Sequence, residues 1–114
     1  MNLLAKKCIP CEGGVPPIEG EELKKYLSEL QPGWAVSPDG KKIHKEYKLK
    51  DFKAAMVLVN KIADLAEAEN HHPDIAIFYS RVNITLWTHA IMGLSENDFI
   101  LAAKINKIAL SLKV

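Results

Sequence analysis

The chain has 114 residues, 48% hydrophobic and 25% charged, with a formal net charge of +1. That suits one compact domain burying roughly 60–70% of its unfolded surface, and the charge lacks the basic excess that nucleic acid or an anionic membrane demands. Apolar runs of only a few residues fall far short of the ~20 needed to span a bilayer, and Met1-Asn2-Leu3-Leu4-Ala5-Lys6-Lys7 lacks the apolar stretch of a signal peptide, so the expected location is cytoplasmic.

Residues 1–18 are expected to form an irregular N-terminal arm, since Pro10, Gly13, Gly14, Pro16 and Pro17 break regular structure. Residues 19–114 then make a single domain. Within the arm, Cys8 and Cys11 form a C-x-x-C. One such pair supplies half of a four-ligand zinc site, and no βαβ pattern surrounds it, so it reads as a tail without catalytic consequence.

Ile18, Leu23, Tyr26, Leu27 and Leu30 recur at helical spacing, with Glu21 and Glu22 in the first turn, where the helix dipole favours anions. Pro32-Gly33 ends this helix, placed at about 20–31. Trp34 and Val36, a Ser37-Pro38-Asp39-Gly40 turn, then alternating Ile43, Lys45, Tyr47 and Leu49 read as a β-hairpin. Residues 41–72 contain neither Gly nor Pro, and Phe52, Ala55, Met56, Val59, Ile62, Ala63 and Ala66 mark a long helix, about 50–69. Pro73 prevents its continuation.

Two strands follow, about 75–79 and 82–88, joined by a short turn at Tyr79-Ser80-Arg81. In the second, Val82, Ile84 and Leu86 share one face; Asn83, Thr85, Trp87 and His89 share the other. Ser95 and Asp98 make a capping-box-like start for a last helix, about 96–112. The expected fold is α+β, in the order α-β-β-α-β-β-α: a four-stranded antiparallel sheet with three helices packed on one face.

His71, His72 and His89 stand at element ends, where a rigid scaffold presents functional groups. Imidazole titrates near neutral pH and can both give and take a proton. Several around one pocket would suit a reaction that protonates a leaving hydroxyl while removing a proton elsewhere. Each candidate has a plainer reading. A histidine at a helix end can be a cap or a surface residue. Asp98 can be only the capping acid, Glu67 a solvated helix residue, and Trp87 a packed sheet-face aromatic. Zinc or iron held by the histidines and an acid is a rival. Against it, adjacent residues in an extended segment point to opposite faces, so His71 and His72 would not readily share one ion.

The run Glu67-Ala68-Glu69-Asn70-His71-His72-Pro73, then Tyr79, then Thr85-Leu86-Trp87-Thr88-His89, then Gly93-Leu94-Ser95-Glu96-Asn97-Asp98 resembles the pterin-4a-carbinolamine dehydratase family. The likeness extends over the element order of residues 19–112, and the Lys6-Lys7-Cys8 opening is similar to the arm of bacterial members. The resemblance implies conversion of 4a-hydroxytetrahydropterin to quinonoid dihydropterin and water, which recycles the pterin of aromatic amino acid hydroxylases. It implies no metal and no organic cofactor. His71, His72 and His89 would be the acid-base and binding histidines, and Pro73, Thr88, Ala90 and Ile91 would line the pterin with them. Glu67 and Asp98 would orient imidazoles from behind, and Trp87 receives no role. The expected partners are a small-molecule pterin and further copies of the chain, as a homodimer or homotetramer, with neither nucleic acid nor membrane. A non-catalytic dimerisation or binding module on the same fold is the alternative, since fold does not fix function.

Overall fold

A computed structural model describes residues 1–10, 13–30 and 32–114. Cys11 lies outside the described residues. Helix α1 (Gly20–Glu29) leads to strands β1 (Ala35–Val36) and β2 (Ile43–Lys48). Helix α2 (Phe52–Glu69), strands β3 (Asp74–Phe78) and β4 (Arg81–Leu86), and helix α3 (Glu96–Ser111) follow. The four strands form one antiparallel sheet in the order β1-β2-β4-β3. The α+β order expected from the sequence is the observed one.

Alternation decides which face is covered. Ile43 and Tyr47 on β2, and Val82, Ile84 and Leu86 on β4, are buried toward the helices. His44, Glu46, Lys48 and Arg81 between them remain exposed. α2 contributes Ala55, Leu58, Ile62 and Ala66 to the core, and α3 contributes Phe99, Leu101, Ala102, Ile105 and Ala109. Fully burying a side chain such as Leu58, Ile62 or Phe99 contributes roughly 1.5–3 kcal/mol. α1 buries no residue completely; it leans on the core through Tyr26, whose ring centroid lies 4.8 Å from that of Phe99.

Several boundaries differ from the sequence reading for local reasons. α2 begins at Phe52 because the Asp51 side chain accepts a hydrogen bond from Ala54 N at 2.7 Å and so caps the helix. Its buried stripe is rotated from the expected one: Phe52 and Ala63 are exposed, while Leu58 is fully buried. β3 and β4 each start one residue earlier than expected, and β4 ends at Leu86. Beyond it, Thr88 N donates to Gly93 O at 2.8 Å, closing a loop around a 3₁₀ turn at His89–Ile91. His89 therefore sits on that turn rather than at a strand end.

The N-terminal segment holds its own 3₁₀ turn at Leu3–Ala5, upstream of the prolines. Leu3, Cys8 and Ile18 are buried in the core. Gly93 marks a close approach of this segment to the rest of the fold: a Cβ there would come within 2.9 Å of the Pro17 Cβ.

Candidate active site

Two chain reversals assemble the site. At the end of α2, Asn70 takes a left-handed conformation (φ 53) and His71 N donates to Ala66 O at 3.2 Å, so the helix stops and the chain turns back. Asparagine tolerates that conformation better than most residues. Pro73 then favours extended backbone into β3. The second reversal is the Thr88–Gly93 loop, which carries His89 and Ala90 beside the first.

Behind the first reversal lies Asp98, whose carboxylate is completely buried. Its Oδ2 accepts from Ser95 N at 2.9 Å, the acid half of a capping box, and from the Thr88 hydroxyl at 2.8 Å. Its Oδ1 is 2.6 Å from His71 Nε2. The capping acid and the histidine partner are thus one residue. A carboxylate in that position favours the tautomer with the proton on Nε2, which leaves Nδ1 of the neutral ring as an acceptor. The His71 side chain is 12% exposed.

His72 turns the other way. Its Nε2 is 2.5 Å from Glu67 Oε2, and both side chains are largely open to solvent. His89 stacks on Trp87, with ring centroids 3.7 Å apart and planes inclined by 28°. Trp87 is itself held: its Nε1 donates to Asp74 Oδ2 at 3.0 Å, and Lys42 Nζ lies 4.6 Å from the ring centroid.

All three histidines line one cavity of about 370 Å³, within the usual size for a small-ligand site. Thr88 and Ala90 line it as well, as do Ile9, Pro10, Asn70, Trp87 and Asn97, for which the sequence reading had no role. Pro73 and Ile91 are not among its lining residues, and Glu67 and Asp98 reach it only through the imidazoles they hold. A larger cleft of about 520 Å³, by Lys48–Ala54 and the C-terminus, contains no histidine. Among the described residues, no three His, Cys, Asp or Glu side chains are grouped to hold a metal ion. Burial, reinforced by nearby Glu69, pushes the Cys8 thiol up to about 12, which keeps it protonated and a poor nucleophile at neutral pH. No helix among the described residues is long and apolar enough to cross a membrane.

Residues 16–108 match the family model described as pterin 4 alpha carbinolamine dehydratase. A protein of Rickettsia bellii named "Putative pterin-4-alpha-carbinolamine dehydratase" is 54% identical over 105 residues, covering 92% of either chain. One of the same name from Alkaliphilus metalliredigens is 49% identical over 106 residues, 93% of this chain and 95% of its own. A crystal structure described as a transcriptional coactivator/pterin dehydratase from Brucella melitensis superposes with a TM-score of 0.77 at 34% identity, over 82% of this chain and 98% of its own. A pterin dehydratase-like protein described as a RuBisCO assembly factor in the alpha-carboxysome has a TM-score of 0.59 at 23% identity, over 68% of this chain and 89% of its own. That last likeness carries the fold alone.

Proposed function

Since the chain belongs to the pterin-4a-carbinolamine dehydratase family, we propose that it dehydrates a 4a-hydroxytetrahydropterin to quinonoid dihydropterin and water by histidine acid-base catalysis. The observation that carries this reading is the convergence of His71, His72 and His89 on one cavity, with His71 fixed by the buried Asp98.

The reaction needs a proton delivered to the departing 4a-hydroxyl and another removed from a ring nitrogen. As the C4a–O bond breaks, the ring-nitrogen lone pair forms the new C=N bond and the oxygen leaves as water. The substrate is neutral overall and asks for no electrons, so positioned imidazoles suffice. His71 is suited to take the ring-nitrogen proton, because the Asp98 carboxylate would stabilise the imidazolium that results. His89 is suited to give the other, because the face of Trp87 favours a cation. His72, with Glu67, stands at the solvent side and would serve binding. Each positioned acid or base typically contributes about 10²–10⁴-fold.

The test is carbinolamine decay followed by absorbance with wild type, His71→Ala and His89→Ala. Each variant should lose about 10²–10⁴-fold in turnover. A wild-type rate equal to that of buffer would remove the proposal, and with it the case against a non-catalytic module.

A second copy of the chain would cover the edge of β3, where Ile77 and Phe78 are 36% and 53% exposed on a strand edge unpaired among the described residues, and Tyr79 in the turn that follows is 70% exposed. Sedimentation at the mass of one chain would refute such a homo-oligomer.

A further inference from the structure

We propose that the N-terminal arm is the specificity-determining wall of the cavity, with Ile9 and Pro10 forming the apolar surface against which the bicyclic substrate lies. The inference rests on the dehydratase reading and adds to it a segment outside the residues that match the family model, which begin at 16.

The arm is held in register with the catalytic residues. Asn97, only 6% exposed, grips Ile9 from both sides: its Oδ1 accepts from Ile9 N at 3.0 Å and its Nδ2 donates to Ile9 O at 2.6 Å. This reciprocal pair satisfies the backbone of Ile9 as a strand neighbour would. One residue earlier, Cys8 N donates to Glu69 Oε1 at 2.8 Å, and Lys104 Nζ donates to Glu69 Oε2 at 2.7 Å. Lys6 Nζ reaches Glu96 at 2.8 Å. Glu69 stands two residues before His71, and Asn97 one residue before Asp98. The segments that place the imidazole and its carboxylate therefore also place the arm.

What the arm presents is apolar and uncovered. The backbone of Ile9 is fixed, yet the residue is 71% exposed and lines the cavity beside Pro10. Most of the remaining wall is polar, with His71, His72, Thr88 and His89 supplying protons and orientation. A flat fused heterocycle has two apolar faces as well as polar edges. Ile9 and Pro10 supply the surface for a face, and the histidines meet the edges.

The test is steady-state dehydration by wild type, Ile9→Ser and Ile9→Val, with thermal melting as a control. Ile9→Ser should raise KM about tenfold with kcat within about twofold, because a lost apolar contact weakens binding without touching the proton transfers. Ile9→Val should restore most of the loss, and the melting temperatures should coincide because the side chain is exposed. An unchanged KM for Ile9→Ser beside an active wild type would overturn the wall and leave the dehydratase intact. An equal fall in kcat and kcat/KM would also overturn it. Absence of turnover in wild type would bring down the dehydratase reading and this inference together.

Discussion

Two of the buried polar residues on α3, Asp98 and Asn106, look alike in the sequence, each a short polar side chain next to one apolar and one polar neighbour. Both gather donors from distant parts of the chain. Asn106 Oδ1 accepts from Trp34 Nε1 at 2.9 Å, Tyr47 OH at 2.8 Å and Lys45 Nζ at 3.3 Å, tying the first hairpin to the helix, while its Nδ2 has no partner among the described residues. Asp98 uses Oδ2 on the helix start and the Thr88 loop, and directs Oδ1 to a ring that lines a cavity. The contrast teaches that burial of a polar group does not by itself mark a site. One of these networks ends inside the core; the other ends on a titratable group beside open space.

Substituting Asp98 should separate the two most widely. In Asp98→Asn one oxygen becomes an amide that cannot accept, so either His71 Nε2–H or both Ser95 N–H and Thr88 O–H lose their acceptor. Turnover should fall by about 10²-fold, the low end of what a positioned proton-transfer group contributes, with KM changed far less. Near-wild-type turnover in carbinolamine decay would break the comparison.

Asn106→Ala should do the reverse. It strands the Tyr47 hydroxyl and the Trp34 indole N–H, at about 1–3 kcal/mol for each buried group left unpaired. Denaturant melts should show that loss while kcat/KM, measured well below the melting temperature, stays within about twofold. A large fall in kcat would make both residues part of one machine.

The smallest effect sharpens the contrast through pH. Burial pushes the Glu69 carboxyl upward, but hydrogen bonds from Lys104 Nζ and Cys8 N, with the Lys104 charge, outweigh it and hold the group below the usual carboxylate range. A folded-state value below the unfolded one adds stability that is present above about pH 4.5 and lost as pH falls through the folded value. Glu69→Gln should therefore melt a few degrees below wild type at pH 6, and the two should converge as pH falls through the folded value. A gap that widens in acid would contradict the assigned sign.

Much of this was legible from residues alone. The unbroken 41–72 stretch announced α2, and the alternation from Val82 announced β4. The alternation misled at the end of β4, because Thr88 keeps the inward phase, at 4% exposure, after strand pairing has stopped. Hydrophobicity alone draws Phe52 into the expected core stripe, although the helix turns it outward. His71, His72 and His89 could be nominated from the motif, and they do meet at one cavity. The role of the arm was not legible, because its register depends on an Asn97–Ile9 pair separated by 88 residues, with no periodicity to signal it. The contacts of Trp87 with His89, Asp74 and Lys42 are equally illegible in the sequence, because they arise only once the sheet has formed.

The double duty of Asp98 has a consequence for motion. The carboxylate that ties down the opening turn of α3 also grips the His71 imidazole. That turn cannot fray without releasing the ring, so local melting of the scaffold and loss of the imidazole's alignment are a single event. A bound ligand that steadies His71 would equally steady the helix from which Asp98 projects.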